Sequence, residues 1–345
     1  MSIRLESLAG DEGQKFVSDF ENIIPDGVRD SFRDIEGVGE AVGFPALVEE
    51  IMSAFTNRGG EIGIFFLFVF GIVALMSVGS AITGRLSRAA ECAVMIISSA
   101  AIFSRLQLIV TEITDTVGGV LSFFSAFIPI MTGVVAYAGG VGSATVGGVG
   151  ANMTLGVLGS FVIPALNSCV SVIFALGLVG AAGHEGTSGL AKRVRSFFMW
   201  LVGICTMLLL TSLALQSAIA SSADTAAMRA VKYAASGAIP IVGGSVSSAM
   251  GALAAGVSYI KGAVGIGAVG VILLLTLTPL VMLLFYRFAL SLAEGVLDFL
   301  GVSFGARMFS SFRAALDVLI AVLALSVSVL IIEITLFMKS GVSAF

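Results

Sequence analysis

The sequence predicts an all-α membrane protein whose helices cross a bilayer several times. The chain is 57% apolar and 12% charged, with a mean hydropathy of +1.08. The stretch from Thr116 to Gly183 contains no Asp, Glu, Lys, Arg or His. A soluble domain needs charged surface over such a length, so this stretch is expected to lie in lipid. With 345 residues, the chain has room for several spans.

An acidic tail forms the first segment, residues 1–61, and contains 13 acidic but only five basic residues. Apolar residues recur at helical spacing over 16–24 and again over 28–35, which predicts two short amphipathic helices around Pro25. The tail is expected either to cap the bundle or to bind a partner. Its start lacks the basic and apolar segments of a secretory signal, so no cleavable signal peptide is predicted.

The membrane region begins with an uncharged segment at 62–84, which matches the roughly 20 residues needed to cross a hydrocarbon core. A segment at 288–313 mixes charged and apolar residues and is expected to lie along the membrane interface, before a last span within 288–345. The further candidate spans are 89–110, 117–138, 153–182, 196–219, 233–260, 262–286 and 316–338.

Two short motifs indicate an internal duplication. Residues 127–133 and 238–244 share an Ile-Pro-Ile core with glycine after it. Each core follows an apolar span with basic residues at its head, and each precedes a glycine-rich stretch and a further span that contains Pro164 or Pro279. This shared order predicts two membrane repeats, residues 85–189 and 190–287.

Each core is predicted to break its helix, because proline lacks an amide donor and glycine tolerates unusual backbone angles. A re-entrant segment that enters and leaves by one face would keep the basic clusters cytoplasmic and the acidic tail outside. Paired broken segments point to a conducting or substrate path. The alternative left open is that the glycines only allow close helix contacts. The residues predicted at this path are Pro129, Gly133, Pro240, Gly243 and Gly244, with Lys232 and Lys261 flanking the second break.

Chemistry other than transport has little support in the sequence. Cys92, Cys169 and Cys205 lie in apolar segments without the spacing of a metal site, and His184 has no ligand or catalytic partner. No nucleotide-binding or nucleophile motif occurs, and no basic cluster with interleaved aromatics suggests nucleic acid. We therefore predict no enzyme, no catalytic residue, no metal and no cofactor.

Charged residues within the predicted spans are few. Asp317 and Glu333 are sixteen residues apart, or roughly 24 Å along a helix, so they are expected at opposite faces of the membrane. Their spacing does not suggest a proton relay.

Part of the second repeat resembles a known family. Residues 230–244 (AVKYAASGAIPIVGG) and 259–266 (YIKGAVGI), followed by Gly267 and Gly270, are similar to the stage III sporulation protein AE family of endospore-forming bacteria. The likeness extends over about 62–340. It implies a multi-pass subunit of the channel complex between mother cell and forespore, placed in the mother-cell membrane around the forespore. Family members commonly begin with a secretory signal, whereas this sequence starts with the acidic tail.

The resemblance also implies partners. These are the lipid bilayer and other stage III sporulation channel proteins, including a separate ATPase that supplies energy, and an oligomer is left open. The acidic tail would be extracytoplasmic and would face those partners. Two rival functions stay open: a stand-alone secondary transporter of a small solute, suggested by repeats with interrupted helices, and a non-conducting membrane scaffold.

Overall fold

The computed structural model describes residues 44–81, 87–137, 140–181, 187–238 and 243–339. These residues form helices and short connections without any strand, which confirms the predicted all-α class. The amphipathic helices predicted in the acidic tail lie outside the described residues. The helices are α1 (Phe44–Ala81), α2 (Ser87–Tyr137), α3 (Val141–Val157), α4 (Ile163–Ala181), α5 (Thr187–Ala238), α6 (Gly243–Phe299) and α7 (Ser303–Lys339).

A π-helical turn at Leu158–Val162 joins α3 to α4, so the seven helices make six rods. Pro164 lies two residues after this turn and has no amide to donate, which fits a local change of hydrogen-bond register. Within the described residues, six stretches are long and apolar enough to cross a bilayer, as predicted for a multi-pass protein. They are Thr56–Ala81, Ala93–Tyr137, Val141–Gly177, Gly189–Ala226, Ser258–Phe299 and Ser303–Lys339.

The helix boundaries differ from the predicted spans. Candidate spans 89–110 and 117–138 are one helix, α2, because the sequence between them has no glycine or proline to stop it. One of the two acidic residues at this junction, Glu112, accepts a hydrogen bond from Arg58 Nη1 at 2.6 Å, so its charge is paired within the protein.

The segment 288–313, predicted as separate and interfacial, is the end of α6 and the start of α7. A tight turn joins them: Val302 N donates to Leu297 O at 2.9 Å, and Gly301 N donates to Asp298 O at 3.1 Å. Gly301 has φ +74°, which only glycine adopts readily, and completes a Schellman cap. Across the turn, Glu294 and Arg313 pair at 3.2 Å. The interfacial position of this segment stays a prediction.

The six rods run antiparallel in sequence order. Gly79, late in α1, lies against Val94, early in α2, and Gly177 of α4 lies against Phe312, early in α7. We call this end, with the α6–α7 turn, the basic end. At the opposite end Gly142 of α3 contacts Asp224 of α5, α2 and α5 end, and α3 and α6 begin. We call it the glycine end.

Each predicted repeat thus contains two rods that join at the glycine end, namely α2 with α3–α4, and α5 with α6. An even number of crossings per repeat is what the predicted charge distribution requires. The duplication itself and re-entrant segments stay predictions.

The first Ile-Pro-Ile core does not break its helix, contrary to the expectation for Pro129. That residue lies inside α2 and is exposed. A proline is tolerated in an apolar helix when neighbouring groups and local adjustments satisfy the freed backbone. The break comes later, between Tyr137 and Val141, at the start of the glycine-rich stretch.

Aromatic side chains dominate the core between α2, α4 and α7. The Phe174 ring meets Phe103 edge-on at a centroid distance of 5.5 Å and Phe312 at 5.7 Å. These contacts fix the axial positions of three rods, and hence the positions of the polar groups nearer the glycine end. The largest fully buried side chains include Phe123, Phe124, Phe127, Phe309 and Phe312.

Candidate functional site

The predicted path residues lie on α2 and on both sides of the link between α5 and α6. Pro129 and Gly133 are both exposed on α2. Pro240 lies outside the described residues, between the end of α5 and the start of α6. Gly243 and Gly244 form the first residues of α6.

The two flanking lysines differ in what can be said of them. Lys232 belongs to α5, but its side chain is outside the description. Lys261 belongs to α6, and only 5% of it is exposed. A path through these predicted positions stays a prediction.

The glycine-rich stretch 139–150 forms the packed start of α3. A Cβ on Gly147 would lie 2.6 Å from Phe337 Cε1 of α7, and one on Gly150 would lie 2.7 Å from Leu213 Cδ2 of α5. These glycines therefore allow three rods to approach more closely than side chains would permit. The alternative of close helix contacts accounts for these two positions.

The first turn of α3 is capped from another helix. Asp224 of α5 is 6% exposed, and its carboxylate accepts hydrogen bonds from Gly142 N at 2.9 Å and Ser143 N at 2.8 Å. Amide groups at a helix start have no partner within the helix and carry partial positive charge, so a carboxylate stabilises them. This cap joins the start of α3 to α5 at the glycine end.

A cavity lies beside this cap, between α3, α5 and α7. It offers about 30 Å³ to the centres of water molecules. One water needs roughly 10–15 Å³ by this measure, so there is room for about two. Its polar lining comes from Ser143 of α3, Gln216 and Ser217 of α5, and Glu333 of α7. The apolar lining is Val146, Gly147, Leu213, Ala220, Leu336 and Phe337.

Glu333 is the most unusual group in this cavity. The residue is 2% exposed, and neither of its carboxylate oxygens has a hydrogen-bond partner in the described structure. The neighbouring Thr154 hydroxyl donates instead to Gly150 O at 3.2 Å. Ser143 is also 2% exposed, and its hydroxyl is without a partner among the described residues. Buried polar groups normally have partners, so two unpaired groups on one small cavity call for a water, an ion or another ligand between them.

Charge pairing elsewhere makes the contrast clear. Close to the middle of α7, Asp317 is bound by Arg287, through Nε, and by Arg195 at 3.2 Å. That triad ties α5, α6 and α7 together in partly exposed surroundings. Asp317 and Glu333 are on the same helix, roughly 24 Å apart, yet one has two cations and the other has none beside it in the described structure.

Sequence reasoning noticed Glu333 but gave it no role, and it missed Ser143, Gln216 and Asp224. The one available signal was a charged residue inside a predicted span, which marks a functional site by default. The serine, the amide and Asp224 gave no signal, because only packing brings α3, α5 and α7 together.

Comparison with known proteins identifies the family. The family model described as stage III sporulation protein AE matches residues 42–341. The chain belongs to this family. All six rods and the cavity lie within the stage III sporulation protein AE match, so the protein is a multi-pass membrane protein of a sporulation family. No curated protein and no solved structure matched the chain.

Proposed function

We propose that this protein is an integral subunit of the channel complex that links mother cell and forespore, and that it lines part of the transport path. Membership of the stage III sporulation protein AE family supports the process, and six apolar rods support the membrane location. We further propose that it is not an enzyme and takes its energy from a separate ATPase partner, since the sequence contains no nucleotide-binding motif.

The observation that carries a transport role is the cavity with the unpartnered Glu333. A charge within a membrane helix is costly, roughly 2.5–3.5 kcal/mol on insertion scales, and such groups mark ion and substrate paths. The cavity lies between three rods at the glycine end, beside the α2–α3 connection. A polar cavity between these three rods is therefore proposed to line part of the transport path.

Orientation follows from the basic end. Lys192, Arg193 and Arg195 open α5, while Arg307 and Arg313 open α7 at the same end of the bundle. The positive-inside tendency supports a cytoplasmic basic end. The glycine end and the acidic tail before α1 would then face the space between the two membranes. We place the protein in the mother-cell membrane on the resemblance to the channel family.

This orientation is testable with single cysteines in a chain freed of its three native ones. Tyr137 at the glycine end is 84% exposed, and Leu300 in the α6–α7 turn is 47% exposed. A membrane-impermeant maleimide added outside the cell should label Tyr137→Cys and spare Leu300→Cys until the membrane is opened. Labelling of Leu300→Cys alone would reverse the scheme.

The role in the path is tested by sporulation of strains carrying substitutions. Glu333→Leu should abolish late forespore development while the protein still inserts and assembles with its partners. Pro240→Leu and Gly243→Leu should do the same if the second break matters. The control is Glu61→Leu, a change at an exposed acid in α1. Normal sporulation of the Glu333 and Pro240 variants would defeat the proposal.

A second candidate is an autonomous secondary transporter, which the buried carboxylate also favours. It predicts ion-coupled uptake of a small solute by the purified protein alone in liposomes. A channel subunit that depends on an ATPase would show no such uptake.

A further inference from the structure

We propose that the cavity at Glu333 binds one monovalent cation of about the size of Na⁺, through the Glu333 carboxylate, Gln216 Oε1 and Ser143 Oγ. This goes beyond the channel function, because it is a property of the isolated protein. It can fail while the channel role stands, and the reverse is also true.

Two of the three oxygen atoms lie near one backbone position, and the third lines the same cavity. Gln216 Nε2 donates to Ser212 Oγ at 2.9 Å, which turns the amide so that its oxygen stays available. A Cβ on Gly150 would lie 3.3 Å from Gln216 Oε1 and 3.9 Å from Glu333 Oε1, so both oxygens reach the same bare backbone position. The Ser143 hydroxyl completes the set from α3. Hard cations take such oxygen ligands.

The charges around the site are one-sided. Among the described residues, no cationic side chain lines the cavity. The runs 116–183, 196–223 and 262–286 of the surrounding rods contain no charged residue, and the side chains of Arg229 and Lys232, farther along α5, lie outside the description. Towards the glycine end, Asp224 is bound by the α3 amides. The α6 rod meets α7 there, where Gly265 lies against Met338. Lys261 precedes this contact on α6, and Lys339 follows it on α7. A carboxylate in this position needs a positive charge or a proton.

The charge count selects a monovalent ion. One cation of charge +1 neutralises one carboxylate, whereas a divalent ion would leave an unbalanced charge in apolar surroundings. In the part of the chain that the structure describes, no three His, Cys, Asp or Glu residues come together, as divalent and transition metals usually require. The cavity also has room for roughly two waters, so a small ion could keep part of its hydration.

Equilibrium dialysis of the purified full-length protein against ²²Na⁺ tests the proposal. We expect about one Na⁺ bound per chain at pH 8, loss of that binding in Glu333→Gln, and a roughly tenfold weaker affinity in Ser143→Ala. Ser310→Ala is the matched control: Ser310 is also buried with an unpartnered hydroxyl, but it lies near the basic end of α7. It should bind Na⁺ as the unaltered protein does.

Competition completes the test. Acidification should displace Na⁺, because a proton neutralises the same carboxylate, whereas an equal concentration of choline should not. No bound Na⁺, or binding that survives in Glu333→Gln, would overturn the proposal. Displacement by choline would overturn it as well, since it would indicate adsorption to headgroups. Helix content and elution of each variant as a single species separate lost binding from lost folding.

Discussion

Removal of the carboxylate that caps α3 should loosen the glycine end of the bundle. Asp224 joins α5 to α3 through two hydrogen bonds, at 2.9 and 2.8 Å, to Gly142 N and Ser143 N. In Asp224→Ala both amides lose their acceptor. Ser143 is buried, so its amide has no direct access to water, whereas Gly142 is half-buried.

The magnitude follows from these two amides. A buried donor left without a partner costs about 1–3 kcal/mol, and loss of an N-cap side chain costs about 0.5–2 kcal/mol. Since the Gly142 amide can recover part of its bond from water, we expect a total loss of roughly 2–4 kcal/mol. A loss of 2 kcal/mol already corresponds to an about 30-fold change in an opening equilibrium.

Hydrogen exchange measured by mass spectrometry gives a local readout. Amides over residues 141–150 should exchange at least about 30-fold faster in Asp224→Ala, while α7 near the basic end should change much less. Thermal unfolding can be followed with a thiol-reactive dye, because Cys169 is buried in α4 and becomes reactive when the bundle opens. The variant should unfold at a lower temperature.

The matched control is Asp298→Ala at the other end of the bundle. The residue is exposed, and its backbone carbonyl, which the substitution keeps, accepts the bond from Gly301. Its stability should stay within about 0.5 kcal/mol of the original. Unchanged exchange over 141–150 in Asp224→Ala would refute the capping role.

Three further predictions concern the packing of the rods. Gly147→Ala should destabilise the protein by about 1–3 kcal/mol, because the added methyl group would collide with Phe337. The control on the same helix is Gly156→Ala, which should be neutral or stabilising because nothing lies within 4 Å of the added group. Equal melting temperatures of the two variants would contradict this. Asp317→Ala should cost about 1–2 kcal/mol, because two half-exposed arginines lose their shared partner, and the thermal dye assay would show it. Pro129→Ala should leave sporulation intact, since this proline lies inside an unbroken helix; a sporulation defect would restore its predicted role.

The sequence was most informative about properties that depend on amino-acid composition alone. Long runs without charge cannot remain in water, so an all-α membrane bundle followed before any contact was known. Charge placement was equally direct: the basic residues at the starts of α5 and α7 lie at one end of the bundle, as the positive-inside tendency requires. The family resemblance rested on the residues around the second Ile-Pro-Ile core, and the family match confirms it.

Local backbone preferences predicted less. Proline and glycine signalled a break at Pro129, yet α2 continues to Tyr137, because surrounding groups decide whether a helix tolerates a proline. The charged residues at Glu112 and Glu294 suggested boundaries, but each is paired with an arginine of another helix. Such partners cannot be read from neighbours in sequence.

The amino-acid sequence alone determined the class of molecule, its solvent and its family, because each depends on which residues are present and in what order. Only the tertiary structure decided which polar groups are left without partners. Glu333 is one of the few acids inside a predicted span, and it became a candidate site because the described residues of α3 and α5 that line its cavity include no cation. Burial and pairing are properties of contacts between distant segments, and these contacts form only when the rods pack.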